Sequence, residues 1–280
     1  MTSSLRQILV HLDHTESTPQ RLSCARRIAE QHGAALAALY AVLPGLMALP
    51  YSPEIASTVA ATLMEIDDQR RNAVLKAFDA EMTRPGPMAT WTQVDNFPIY
   101  GAVAQQARYA DLVVLGQHDI RQQYSRQVPP DFVPNVLMAS GRPALVLPFV
   151  GWSGVVGNTV AIAWKETAEA ARAVQAAMPF LERAAKVHVF AWGEEGAPRL
   201  GGRGLDLEQY LRVHGIEATW HREPEEPAAL GDVLLSRVYD VHADLLVMGC
   251  YGHSRAREWI LGGVSRTALS TMTLPVLMSH

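Results

Sequence analysis

The sequence predicts an α/β protein built from two tandem doubly wound, Rossmann-like domains with mostly parallel sheets. Three observations predict it. First, Ala110-Asp-Leu-Val-Val-Leu-Gly116 returns as Ala243-Asp-Leu-Leu-Val-Met-Gly249, 133 residues later, and repetition at so long an interval marks whole domains. Second, an apolar run opens each half (residues 8–12 and 160–164), and a proline-led apolar run closes it, Pro143-Ala-Leu-Val-Leu and Pro275-Val-Leu-Met. Third, these runs lack polar alternation, so they suit strands covered on both faces, and strand–helix alternation with right-handed crossovers then gives a doubly wound sheet. Gly151-Trp-Ser-Gly-Val-Val-Gly157 reads as the linker, which sets the domains at 1–150 and 157–280.

The elements of the second half follow in order. Residues 159–163 and 187–191 read as strands, and the alanine-rich stretch 168–181 between them carries apolar residues at helical spacing. Residues 217–221 form a weaker strand, about 227–241 a helix, 244–248 a buried strand, 264–271 a helix and 274–278 the closing strand. The first half repeats this order with an insertion from Pro44 to about Asp68, ahead of its second long helix. Three prolines (Pro44, Pro50 and Pro53) and an apolar stretch predict a flap there, or an added helix packed on the neighbouring half. The two closing strands are expected to pair edge to edge, within the chain or between chains.

Composition excludes several classes. The 280 residues are 49% hydrophobic and 19% charged, which suits a buried core and is too little charge for a disordered chain. A net charge of −4 gives no global attraction to nucleic acid. No apolar run approaches the roughly 18 residues of a membrane helix, and the opening Met-Thr-Ser-Ser-Leu-Arg segment does not read as a signal peptide. Two cysteines, Cys24 and Cys250, make no disulfide framework, so a reducing cytoplasm is expected.

Chemistry concentrates after the strand at 244–248. There the chain reads Gly249-Cys-Tyr-Gly252-His253-Ser-Arg255-Ala-Arg-Glu-Trp-Ile-Leu-Gly262-Gly263-Val264-Ser265. In an open α/β sheet, ligands collect beyond the carboxyl ends of strands. Glycines at a strand exit and a helix start leave the amides of Gly263, Val264 and Ser265 able to face an anion, with the positive end of the helix dipole behind them. The Ser265 hydroxyl adds a donor, and Gly252 and His253 offer amides from the other side. Arg255 either holds phosphate or, like Arg257, pairs with Glu258. Together these form a phosphate cradle without a Walker lysine.

The pattern G-x2-G-x9-G followed by G-V-S resembles the nucleotide-binding loop of the universal stress protein family. Gly249-Cys-Tyr-Gly-His-Ser-Arg255 and Leu261-Gly-Gly-Val-Ser265 are similar to bacterial members, and the duplicated layout is similar to their two-domain forms. The resemblance implies a soluble cytoplasmic protein linked to stress survival that binds ATP, ADP or a related adenine nucleotide. Two departures stand out. Family binders carry Ser or Thr directly after the third glycine, where this chain has Gly263. They also carry an aspartate at the end of the first strand, facing ribose or base, where the second half has Lys165. Lys165 cannot accept a ribose hydroxyl, although it can reach a phosphate. Losing one charged hydrogen bond weakens binding by about 1.5–3 kcal/mol.

The first half keeps Asp13 at its strand end. Its loop, however, places Asp119 where the other copy has Gly252, and Pro129 and Pro130 near the place of Gly262 and Gly263. Proline removes an amide donor and an aspartate repels phosphate, so no nucleotide is expected there. That half reads as a partner in a pseudo-dimer. Taken alone, Asp13 and Lys165 read as solvated strand ends, Cys24 as core and Cys250 as an incidental small residue. His11 and His14 flank Asp13, but neighbours on a strand point to opposite faces. No histidines stand at metal-ligand spacing, Gly151-Trp-Ser-Gly misses the nucleophile elbow by one residue, and Gly193–Gly204 reads as a flexible loop. With no general base in view, no catalytic residue is assigned and at most slow ATP hydrolysis is expected. The competing reading is an interaction or adaptor protein of the same fold that has lost nucleotide binding.

Overall fold

In the strand β1 (Gln7–Leu12) every residue after Gln7 is buried, as expected of a strand covered on both faces. The computed structural model describes residues 4–48, 57–94, 98–119, 127–193, 204–250 and 263–280. They divide into two units, one of Leu5–Arg142 with Leu147–Ser153, the other chiefly of Pro143–Val146 and Gly154–His280.

In the first unit, β1 is followed by α1 (Thr18–His32), β2 (Ala35–Tyr40), a short 3-10 turn (Gly45–Ala48), α2 (Ser57–Met82), β3 (Ala89–Gln93), α3 (Ile99–Ala107), β4 (Leu112–Gly116) and α4 (Phe132–Ser140). The strands lie in the order β3-β2-β1-β4 and every pair is parallel. Proline in its first turn starts α1, and Gly33 ends it at φ 62°, a left-handed conformation that glycine adopts without Cβ strain. The insertion is not a separate flap. From Ser57 onward it belongs to the 26-residue α2, and Asp67 on that helix accepts from the Gly45 amide at 2.6 Å and from Gln127 at 2.8 Å, all within this unit. Phe78 of α2 meets Trp91 of β3 edge to face at 5.2 Å, which seats the helix on the sheet.

The second unit begins with β5 (Ala144–Leu147), then β6 (Thr159–Trp164), α5 (Ala168–Leu181), β7 (Lys186–Trp192), α6 (Leu207–Val213), β8 (Ala218–Glu223), α7 (Leu230–Asp240), β9 (Leu245–Gly249), α8 (Gly263–Thr271) and β10 (Val276–Ser279). The order β10-β9-β6-β7-β8 is parallel throughout. The closing strands pair within the chain and run antiparallel, Val276 opposite Val146 and Met278 opposite Ala144. The helix α6 was not expected. It is a short amphipathic helix of about two turns, started by Asp206, whose carboxylate accepts from the Gln209 amide at 2.6 Å.

The structure also explains the aspartate of the repeated motif. Asp244, just before β9, accepts from the amides of Gly157 (2.7 Å), Asn158 (2.9 Å) and Thr159 (3.2 Å), tying down the start of β6. Asp111 does the same for Arg6 (2.7 Å) and Gln7 (2.9 Å) ahead of β1. An entering strand has backbone donors with no ladder partner, and one carboxylate satisfies them in each copy.

Candidate functional site

In the second unit the chain leaves β6 toward β7 on one side, while β9 and β10 lie on the other. The carboxyl ends of β6 and β9 therefore splay apart at the switch in strand order, where a crevice is expected. One of about 370 Å³ lies there. Trp164 and Lys165 at the end of β6, Met248 and Gly249 at the end of β9, and Gly263, Val264 and Ser265 at the start of α8 line it. Trp192, Leu230 and Leu234 add an apolar wall. Of the residues expected in the cradle, the structure thus brings Lys165, Gly249, Gly263, Val264 and Ser265 together. Gly252, His253, Arg255 and Gly262 fall outside the described residues, as does Arg257.

Two glycines serve different ends. A Cβ on Gly249 would sit 2.5 Å from the Ala170 nitrogen and 2.6 Å from the Glu169 carbonyl carbon. Only glycine lets β9 end against the first turn of α5, which Thr167 caps by accepting from the Ala170 amide at 3.2 Å. Gly263 is the reverse case, with none of the described residues within 4 Å of an added Cβ.

The polar lining is internally engaged. Lys165 Nζ donates to Glu226 Oε1 at 2.6 Å, and Lys165 is exposed, so the reading of a solvated strand end holds with an ion pair added. Glu169 is only 5% exposed, and its Oε1 accepts from Arg172 at 3.1 Å. Trp192 donates from its indole nitrogen to Glu223 at 3.1 Å and stacks on Phe190 at 6.2 Å, which fixes the ring against the crevice. Thr167, Glu169, Trp192, Glu226, Leu230 and Leu234 carry no motif in the sequence. Trp192 could have been found by extending the strand at 187–191 by one residue, and Thr167 by its capping position.

The corresponding corner of the first unit is nearly filled. Between Asp13, Thr15, His118, Asp119, Pro129 and Pro130 only about 30 Å³ remains. Arg21 of α1 packs on Gly116 beside it, where a Cβ would lie 1.7 Å from its Nη1. Asp13 is no solvated strand end. It is 3% exposed, and it accepts from Arg21 Nη2 at 2.8 Å, the Thr15 amide at 2.8 Å, the Thr18 hydroxyl at 2.7 Å and the Thr15 hydroxyl. Burial would raise its pKa, but Arg21, His11 and the two hydroxyls outweigh it and hold the carboxyl well below the usual range. His11 does share a face with Asp13, because it stands two residues back along the strand. Its Nδ1 is 3.8 Å from Asp13 and its Nε2 is 2.7 Å from the Ala41 carbonyl.

Both thiols are buried. Burial pushes Cys24 up to about 11 and Cys250, whose Sγ donates to the Ser279 carbonyl at 3.3 Å, up to about 12. Among the described residues no group of three or more His, Cys, Asp or Glu could hold a metal ion, and no helix is long and apolar enough to cross a membrane.

The sequence matches no known family profile and no curated protein. Solved structures do match. A universal stress protein from Archaeoglobus fulgidus DSM 4304 superposes with a TM-score of 0.68 at 15% identity, over 98% of this chain and 95% of that one. A functionally unknown protein from Pseudomonas aeruginosa PAO1 superposes with a TM-score of 0.61 at 15% identity, over 98% of this chain and 92% of that one. The chain has the universal stress protein fold across nearly its whole length.

Proposed function

We infer that this chain is a stress-response regulatory protein that binds ATP or a related adenine nucleotide in the crevice of its second unit. The observation that carries the reading is the contrast between the two copies, about 370 Å³ at the β6–β9 switch and about 30 Å³ at the corresponding corner of the other unit. The open crevice has two chemically distinct parts. The amides of Gly263, Val264 and Ser265 at the positive end of α8 suit phosphate oxygens. Trp192, Leu230 and Leu234 suit a flat ring. Gly252, His253, Arg255 and Gly262 complete the cradle in this reading. An exposed ion pair is worth less than about 1 kcal/mol, so Lys165 can leave Glu226 for a phosphate at little cost. Glu169 is bound to Arg172, so it is assigned no part in hydrolysis.

Calorimetric titration with ATP tests the reading, repeated on Gly263→Asp. A Cβ there meets none of the described residues, and an acid in a helix's first turn favours folding. Wild-type binding that the variant loses supports the site, and equal binding by both proteins refutes it. The second reading, an adaptor that binds no nucleotide, is favoured by the Lys165–Glu226 pair standing where a ribose acceptor would be needed. It predicts no thermal shift at millimolar ATP and no nucleotide retained on gentle purification.

A further inference from the structure

The segment Gly151-Trp-Ser plays no part in the crevice, yet it walls a different cavity. In the first unit, one face of α1 and one face of α2 leave a groove of about 350 Å³. The small side chains Ala77 and Ala80 line it together with Trp152. The chain before Trp152 passes against the Gln20 side chain of α1, and Gly151 there has φ +84°, a left-handed conformation that favours glycine.

The groove's charge is set by two guanidiniums and one carboxylate, Arg27, Arg84 and Glu81. That carboxylate is already shared. Glu81 Oε2 takes Arg84 at 2.9 Å, and Oε1 takes the buried Arg26 at 3.1 Å. The Arg84 side chain is 70% exposed and so can turn toward a ligand. Arg27 Nη1 lies 3.3 Å from Ser23 Oγ, which places a hydroxyl beside the second guanidinium.

We propose that this groove is a second ligand site, for a small molecule joining a flat aromatic ring to a phosphate. Arg27, Arg84 and the Ser23 hydroxyl hold the phosphate, because planar guanidiniums match its oxygens in pairs. The Trp152 indole, with Ala77 and Ala80, takes the ring. The site is independent of the crevice in the second unit.

Phenyl phosphate is the probe, titrated into the full-length 15N-labelled protein while the Trp152 indole N–H resonance is followed. Trp152→Phe assigns that resonance. Saturable shifts are expected at millimolar probe, with inorganic phosphate and benzyl alcohol each binding at least about tenfold more weakly. Arg84→Gln, at an exposed position, is expected to weaken phenyl phosphate at least about tenfold, and Gly263→Asp to leave it unchanged. An unmoved Trp152 resonance, an unchanged affinity in Arg84→Gln, or loss of binding in Gly263→Asp each overturns the proposal.

Discussion

His11 is the clearest titration built into this chain. It lies on β1, 1% exposed, with its ring 4.6 Å from Phe132 and its Nε2 against the Ala41 carbonyl. Burial is the largest influence on it. Asp13 favours the charged form, Arg21 opposes it, and the balance takes the pKa from 6.5 down to about 4. A folded pKa below the unfolded one means the unfolded chain takes up the proton first as pH falls. The stability from keeping His11 neutral is therefore complete above about pH 6.5 and is lost progressively down to about pH 4. At about 1.4 kcal/mol per pH unit, the whole loss is about 3 kcal/mol, of which about 2 kcal/mol has gone by about pH 5. Urea denaturation at about pH 7.5 and pH 5, on wild type and His11→Gln, measures it. The variant is expected to be less stable at neutral pH and to lose about 2 kcal/mol less than wild type on acidification. Parallel losses in the two proteins would refute the reasoning, because then His11 does not carry the proton linkage.

Three further outcomes can be checked. Arg21→Ala strands the buried Asp13 carboxylate without its guanidinium, and should destabilise the first unit by about 3–5 kcal/mol in chemical denaturation; Asp13→Asn in the same background should recover part of it. Gly249→Ala drives a Cβ to 2.5 Å from the Ala170 nitrogen, so a loss of about 1–3 kcal/mol is expected, where Gly263→Ala should be near neutral. Cys250, buried and with its thiol pushed up to about 12, should resist a thiol reagent at neutral pH until the chain is unfolded by denaturant; rapid labelling of the folded protein would contradict its placement.

Much of the fold was legible because buried parallel strands leave continuous apolar runs. The helix at 168–181 matches α5 to the residue, and all five strands read in the second half are present. One helix, α2, was read with its start too late and one, α6, was missed, each for a physical reason. The mixed composition of α2 shows no clean apolar stripe, so prolines at 44, 50 and 53 dominated the reading of the segment before it. The seven-residue α6 is too short to establish a period, and only its Asp206 cap announces it. Within the crevice the glycine and helix-start residues were legible because backbone geometry selects their type. Its walls were not, because Trp192, Glu226 and Leu230 come from three different segments and meet only through the topology.

The two copies show how one backbone plan supports opposite outcomes at the same corner. Gly116 and Gly249 stand at equal places in the repeated motif, and in each the missing Cβ admits a neighbour from the helix that follows the first strand of its half, α1 after β1 and α5 after β6. At Gly249 the neighbour is the backbone of α5 itself, which packs close and leaves the space above it open. At Gly116 the neighbour is the Arg21 guanidinium, and only about 30 Å³ remains at the corner beside it. Arg21 can be buried there only because Asp13 is ionised beside it, since a buried guanidinium without a partner is strongly unfavourable. Keeping an aspartate at the strand end thus does not mark a ligand site in the first unit, where its acceptor capacity is spent on Arg21, Thr15 and Thr18. In the second unit the lysine at that position faces Glu226 across an open crevice. The residue type at the strand end is therefore a poorer guide than the room beside it, about 30 Å³ in one copy and about 370 Å³ in the other. Asp13 has no room for a ligand, and Lys165 does.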